Sequence, residues 1–524
     1  MIRITGIRLG IRESEDDLIE KVRSKYNLRN ISGFEISKKS VDARKKNDIH
    51  YVYAVDLCAA NEDMLAEKYT EIQKTEYKPY VFPDGIKPDK PIVIAGMGPA
   101  GLLCALTLVQ NGYNVIVLER GKRVEERKKD VGIFWETGVL NPSSNVQFGE
   151  GGAGTFSDGK LTTGIKDFRI RKVLEEFHAH GAPREILYYA KPHIGTDNLY
   201  RMVASIREDI ISLGGDVRFS SQLTGIKITE DGAVCAAVVN DEYEIETDNI
   251  VLAIGHSARD TFEMLKENGI PMAQKSFSVG ARIEHKQKNI NRAQYGGELD
   301  NLPAADYKLS VHLENGRGVY TFCMCPGGEV VASASEEGGI VTNGMSRFAR
   351  DGENANSALL VSVTPDDFKS DDPLAGMYFQ REIERKAFEA AGRTYKAPAQ
   401  RVGDFLKFGK GGEGIKPSYR PDVTWTEIDK VLPKFVTDSM REAIILMNKK
   451  LRGFSDFDAV LTVPETRSSS PVRLLRDDKT LQSKIKGLYP CGEGAGYAGG
   501  ITSAAVDGIK VAEAIAINNK KDLE

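Results

Sequence analysis

An α/β fold built around a Rossmann-like dinucleotide-binding domain, with an inserted α+β domain and a small N-terminal α+β module, is predicted by three observations. An apolar strand runs straight into Gly96-Met97-Gly98-Pro99-Ala100-Gly101; an acid, Glu119, closes the next apolar strand; and a second glycine-rich turn precedes the last long apolar helix. At 524 residues the chain exceeds what one core organises, so several domains are expected.

The elements follow in order. Residues 1–80 carry short apolar strands (IRITGIRL, GFEIS, HYVYAVDL) alternating with charged helical stretches near 14–25 and 61–74, the pattern of a small α+β module. KPYVFPDGIKPDKP then reads as a linker, because its prolines remove donors and fix φ. Residues 91–280 begin the nucleotide domain as strand (IVIAG), helix from Pro99 to Gln110, and strand (NVIVLE). Helices at RIRKVLEEFHAHG and NLYRMVASIREDIISLGG come next, the second with Leu199, Met202, Val203, Ile206 and Ile210 on one face. Three β-rich runs form a meander feeding back into the sheet. Residues 281–440 mix strands such as GVYTFCMC with a helix around 376–391 and read as the inserted domain, and 441–524 return to the nucleotide domain.

Composition narrows the function classes. The chain is 41% hydrophobic and 28% charged, as in ordinary globular proteins, and 71 Lys and Arg against 75 Asp and Glu give a net charge of −4. No global field attracts nucleic acid, so a polyanion site would have to be local. Lys38, Lys39, Arg44, Lys45 and Lys46 form one cationic run, read as a solvated face or an RNA contact. Six scattered cysteines suit a reducing cytoplasm, and the charged start MIRITGIRLGIRESEDD is not a signal peptide. The uncharged run from Pro91 to Leu118 is interrupted by glycines, Pro99 and asparagines, so no membrane span is expected. His193, His256 and His285 lack metal-ligand spacing, and no metal is expected.

In the fingerprint, Gly96 makes the tight turn, Gly98 admits a pyrophosphate to the backbone, and Gly101 lets helix and strand pack closely, with Pro99 and Ala100 opening the helix. Glu119 stands 23 positions after Gly96, where an acid meets an adenosine ribose. The turn YPCGEGAGYAGGITS resembles the second flavin motif of glutathione reductase-like oxidoreductases. That resemblance implies FAD, with Gly492 and Glu493 beside its ribitol and pyrophosphate and Gly499, Gly500 and Ile501 under its ring. Glu493 stands where those proteins carry Asp. NIVLAIG, ending at Gly255, resembles their middle cofactor-enclosing strand, and Arg120 and Leu223 are implied as further cofactor contacts. No second strand-borne G-x-G-x-x-G is seen, so a separate nicotinamide domain is not expected.

The run GEGGAGTFSDGK is the most unusual stretch. It is read as a cofactor-wrapping loop, with Gly151, Gly152, Gly154 and Thr155 offering backbone and Ser157, Asp158 and Lys160 adding polar handles, or else as a mobile surface loop. With FSVGARIEH, TFCMCPGGEVVASASE, VPETRSSSPVR and CGEGAGYAGGITSAAVDG, the chain is similar to the FAD-dependent dehydrogenases often called NAD(FAD)-utilizing dehydrogenases, over about residues 91–516.

Four residues are candidates for catalysis. Glu465 is a proton carrier and Arg467 an anchor for an anionic substrate or nicotinamide phosphate, with a structural ion pair as the competing reading. Cys323 and Cys325 form either a redox relay or inert buried thiols. The expected activity is an FAD-dependent oxidoreductase acting on a small molecule, with NAD(P)H as a transient donor. The alternatives are a flavin monooxygenase or hydroxylase, and an RNA-associated protein with structural FAD.

Overall fold

The computed structural model describes residues 1–297, 301–409, 412 and 414–521. A five-stranded parallel sheet, ordered Leu488–Pro490, Ile250–Leu252, Ile92–Ala95, Val115–Leu118, Asp216–Arg218, forms the nucleotide domain. Four of its strands are buried apolar runs, as a sheet covered on both faces requires, and the edge strand Asp216–Arg218 is polar and partly exposed. Helices Pro99–Gln110 and Ile501–Lys521 pack on one another, and Gly508 allows the contact, because a Cβ there would overlap the Ala100 carbonyl. Helix Thr196–Ser212 buries Leu199, Met202, Val203, Ile206 and Ile210, the face expected from the sequence. Strands Leu223–Ile228, Val234–Val239 and Tyr243–Glu246 make the antiparallel meander before the chain re-enters the parallel sheet at Ile250.

A seven-stranded sheet carries the second domain, ordered Ser310–His312, Gly318–Cys325, Asn354–Val363, Phe277–Lys286, Val460–Glu465, Ala397–Arg401, Val423–Trp425. Helix Lys434–Lys450 covers it through Val436, Met440, Ile444 and Met447. The expected return to the nucleotide domain at 441 falls inside that helix, and the second domain keeps the chain through strand Val460–Glu465. Short strands Met272–Gln274 and Val472–Leu474 pair antiparallel where the chain leaves and re-enters, and mark the structural seam.

The N-terminal sheet is ordered Ile31–Asp42, His50–Ala59, Ile2–Gly10, Ile72–Lys74, with helices Asp17–Tyr26 and Glu62–Lys68 closing a core of Ile2, Ile4, Leu18, Val22, Val55 and Leu57. The helix expected over 61–74 stops at Lys68, and Ile72 enters the sheet with its side chain buried. The module is docked: Lys39 N–H donates to Tyr188 O and Ala190 N–H to Lys39 O, each at 2.8 Å, so the edge strand continues into the nucleotide domain. Three of the five cations in its run have partners within the chain, Lys39 with Glu15, Arg44 with Asp42, and Lys46 with the Ala293 carbonyl. The proline-rich connection is a packed strap: Tyr80 donates to Glu513 at 2.9 Å, and a Cβ on Gly85 would press into Ala516 at 2.5 Å. Among the described residues no helix is long and apolar enough to cross a membrane.

Candidate functional site

Strands Ile92–Ala95, Ile250–Leu252 and Leu488–Pro490 are parallel neighbours, so the turns that follow them open on one edge of the sheet. Order reverses there, with Val115–Leu118 on one side of Ile92–Ala95 and Ile250–Leu252 on the other, which is where α/β sheets bind ligands. A cleft of about 260 Å³ lies at this edge, floored by the fingerprint and the 499–501 turn and faced by the ends of the seven-stranded sheet.

The fingerprint is built as its glycines require. Gly96 adopts φ +102°, and a Cβ on Gly101 would overlap the Gly96 carbonyl oxygen. Gly101 therefore packs helix against strand, outside the cleft, while Gly96, Gly98, Pro99 and Ala100 line it. A Cβ on Gly98 would meet nothing of the protein closer than the Gly152 Cα, at 3.9 Å. The gap at Gly98 is a cradle that a ligand can fill, and it faces the N-terminus of helix Pro99–Gln110, where free N–H groups favour phosphate.

Glu119 is buried and binds the loops together: Oε2 accepts from Met97 N–H at 2.9 Å, and Oε1 from Gly121 and Gly149 N–H at 2.8 and 2.9 Å. A carboxylate has about four acceptor positions, so one remains for a hydroxyl in the cleft it lines. Arg120 lies over the Phe148 ring and pairs with Asp260, and Leu223 and Gly255 also line the cleft.

The glycine loop is ordered by a residue the sequence reading passed over. Arg127, fully buried on helix Val124–Thr137, donates to the carbonyls of Asn145, Val146, Glu150 and Gly152 at 2.6–3.0 Å. Bent round that guanidinium, the loop is no mobile surface segment. Gly152, Gly154, Ser157, Asp158 and Lys160 reach the cleft. Gly151 and Thr155 do not: Gly151 N–H donates to Met97 O, and the Thr155 hydroxyl donates to Glu150 O. Gly492 is likewise behind the wall, at φ +77° with its N–H held by Asp507 at 2.7 Å. Glu493, Gly499, Gly500 and Ile501 do line it.

Burial pushes the Glu493 carboxyl up to about 7, with Lys275 opposing, and His256 Nε2 stands 3.9 Å from it. Burial, helped by Arg467 and Arg259, drops His256 to about 3, so the ring stays uncharged in its place on the cleft wall.

The four candidate catalytic residues all reach the cleft, in different conditions. Arg467 is committed elsewhere: Nε and Nη2 donate to Glu384 at 3.1 and 2.9 Å, and Nη1 donates to Ser335 at 2.6 Å. Glu384 also receives Arg259 through two donors, so the anion-anchor role expected of Arg467 gives way to a buried ion cluster. Glu465 is 4% exposed, and its Oε2 has no hydrogen-bond partner. Arg282 Nη1, also unpartnered and fully buried, stands 3.8 Å away. Burial pushes the Glu465 carboxyl up to about 7 against the pull of Arg282.

Cys323 and Cys325 both line the cleft but differ in exposure. A bulge in strand Gly318–Cys325 places Cys323 at φ +42°, exposed, while Cys325 is buried with its thiol donating to the Cys323 carbonyl at 3.3 Å. Burial raises the Cys325 thiol. Among the described residues no group of His, Cys, Asp and Glu is placed to hold a metal.

Comparison with known proteins agrees with this geometry. Residues 90–292 match the family model described as pyridine nucleotide-disulphide oxidoreductase, 276–468 the one described as FAD-dependent protein, C-terminal domain-like, and 1–58 a domain of unknown function. An uncharacterised protein of Clostridium beijerinckii (strain ATCC 51743 / NCIMB 8052) is 50% identical over 532 residues, covering 98% of each chain. The chain belongs to that family of FAD-dependent oxidoreductases. FAD is the cofactor of this oxidoreductase, and its fold is a Rossmann-like FAD-binding domain joined to a second domain. Among solved structures, the oxidoreductase is similar to the halogenase PltM (10% identity, 83% of this chain and 71% of that one, TM-score 0.41) and to CtdE in complex with FAD (14%, 82% and 84%, 0.33).

Proposed function

We propose that this oxidoreductase is a dehydrogenase or reductase of a small molecule held between the flavin site and the seven-stranded sheet, with Glu465 as the group that holds or moves the proton. Bound FAD would supply two-electron redox chemistry that no side chain provides. The fingerprint backbone from Gly96 to Ala100 and the 152–154 turn would hold its pyrophosphate, the free lone pair of Glu119 its ribose, and the Gly499–Ile501 turn its ring. The N-terminus of helix Ile501–Lys521 directs partial positive charge at that end of the cleft.

The observation carrying the reading is the Glu465 carboxyl, buried on the cleft wall with an oxygen that no protein group satisfies. Left unmet, a buried carboxyl oxygen costs about 1–3 kcal/mol, and a ligand in the cleft can meet it. A reducing cytosolic setting fits the free cysteines. NAD(P)H is the proposed donor, entering the open cleft as a visiting molecule.

Anaerobic mixing with NADH and with NADPH tests the donor: flavin bleaching with either supports it, and two silent traces remove it. Glu465→Gln keeps the shape and loses the proton, so the rate of flavin reduction or reoxidation by substrate is expected to fall by about 10²–10⁴ with flavin content unchanged. The sign with pH follows from a raised carboxyl. Glu465 is protonated below about 7, so a step that uses it as an acid slows as pH rises through that value, and one that uses it as a base speeds up. The glutamine variant should lose that limb of the profile; keeping it would clear Glu465 of the role.

A further inference from the structure

A short strip of backbone ties the N-terminal domain of unknown function to the wall of the cleft. Between the turn Arg184–Leu187 and helix Thr196–Ser212, residues 188–195 run with no helix or sheet of their own, only isolated bridges at Tyr189 and His193. The first half of the strip is bonded to the module: Lys39 N–H donates to Tyr188 O and Ala190 N–H donates to Lys39 O, each at 2.8 Å. The second half is bonded to the glycine-rich loop: Leu161 N–H donates to Pro192 O at 2.9 Å, and Ile194 and Gly195 N–H donate to Gly159 O and Asp158 O, each at 3.1 Å. Lys191 alone separates the two sets.

The end of the loop held in this way is the part that reaches the cleft, residues 157–160. The ladder then goes one step further. Leu161 O accepts the Thr502 hydroxyl at 2.8 Å, in the first turn of helix Ile501–Lys521. A continuous run of hydrogen bonds and backbone therefore joins Lys39 to the loop and to the helix that follows the 499–501 turn.

The strip is stiff, so what happens at one end reaches the other. Pro192 fixes its own φ at about −65° and restricts Lys191 before it. His193 stacks on Phe348 at 5.0 Å between ring centroids and donates from Nε2 to Phe348 O at 3.0 Å, and a Cβ on Gly195 would overlap Phe348 N. That end is pinned to the second domain. At the other end the remaining backbone bonds are local, from Tyr188 and Tyr189 N–H to Glu185 O, so without the module Tyr188 O and Ala190 N–H lose their partner. The module is itself seated on the second domain, with Lys46 Nζ donating to Ala293 O at 2.9 Å and the Tyr51 hydroxyl to Asn301 O at 2.6 Å.

We infer that the N-terminal module positions the flavin site: by adding its edge strand to residues 188–190 it holds the strip, and through the strip the 157–161 end of the glycine-rich loop, where the cofactor is received. The inference rests on the flavin reading above. Lys39 is a positioning residue that acts through its backbone, since neither it nor residues 188–195 line the cleft. Arg350 and Ser346 also hold the Asp158 side chain, so loss of the module contact weakens the site without abolishing it. Coupling of this kind is reciprocal: docking that favours FAD is favoured by FAD to the same factor.

The test uses the full chain. Lys39→Pro removes the donor to Tyr188 O at an edge position, where a strand admits proline. It should bind FAD about tenfold more weakly, whereas Lys39→Gln, which loses the Glu15 contact and keeps the backbone, should bind FAD as the parent chain does. In the parent chain, FAD should slow amide hydrogen exchange in residues 188–191 as well as in the loop. The inference is overturned if Lys39→Pro binds FAD as tightly as the parent, if Lys39→Gln weakens it equally, or if FAD leaves exchange at 188–191 unchanged. Should Lys39→Pro also lower the thermal midpoint of the apoprotein, the exchange measurement on the parent chain decides alone. Failure of the parent chain to take up FAD at all would instead sink the flavin reading.

Discussion

Gly98→Val is expected to give a folded chain that purifies without flavin, its FAD affinity lower by roughly a hundredfold or more, about 2.7 kcal/mol. Gly98 has φ −76°, which any residue adopts, and a Cβ would touch only the Gly152 Cα at 3.9 Å. The protein therefore tolerates the side chain. What it removes is the space over the first turn of helix Pro99–Gln110, where backbone N–H groups must come within hydrogen-bond reach of a phosphate. Gly101→Val makes the contrast, because there the new carbon overlaps the Gly96 carbonyl and the loss is of folding itself. Flavin content measured beside the thermal midpoint separates the two: Gly98→Val should be colourless with a near-parental apo midpoint, and Gly101→Val should have a lowered one. A yellow Gly98→Val would mean that the pyrophosphate does not lie there.

Glu384→Ala is expected to cost about 3–5 kcal/mol, read as a shift in urea unfolding. The carboxylate accepts from Arg259 at 2.7 and 2.8 Å, from Arg467 at 2.9 and 3.1 Å, and from the Thr466 hydroxyl at 2.6 Å. Both guanidiniums are buried, and Glu336 alone would remain to balance them, with Arg381 also drawing on it. Arg259 opens a helix of the nucleotide domain, whereas Glu384 and Arg467 belong to the second domain, so the cluster fastens the two across the cleft. Loss of flavin affinity should accompany the loss of stability. A variant of parental stability would show that the cluster adds nothing beyond the packing around it.

The nucleotide domain was legible because its signals are local. A turn that needs Gly96 at positive φ, a helix that starts on Pro99 and an acid one strand later all fall within a short stretch, and they carry the same meaning wherever they fold. The fates of Arg467 and Arg127 were not legible, since each is set by partners distant in sequence or by the bend of a loop. Arg467 meets a glutamate 83 positions away, and Arg127 looked like one more charge on a wet helix before the glycine loop closed over it. A signal for Arg282 was present: an arginine inside the buried strand Phe277–Lys286 is rare enough to question. The domain seam was misplaced because strand Val460–Glu465 follows an amphipathic helix and resembles any apolar run, and only its pairing with Phe277–Lys286 shows which sheet owns it. The unequal exposure of Cys323 and Cys325 was not legible because a bulge shifts the strand register at that point.

Everything above depends on one flavin seated between the fingerprint turn and the 499–501 turn. The direct measurement is the ratio of FAD to polypeptide in the purified chain, after incubation with FAD and removal of the excess, from the absorption spectrum and from cofactor released on denaturation. The account predicts a ratio near one, with release of FAD and no other flavin. A colourless protein that takes up no FAD at any concentration would contradict it.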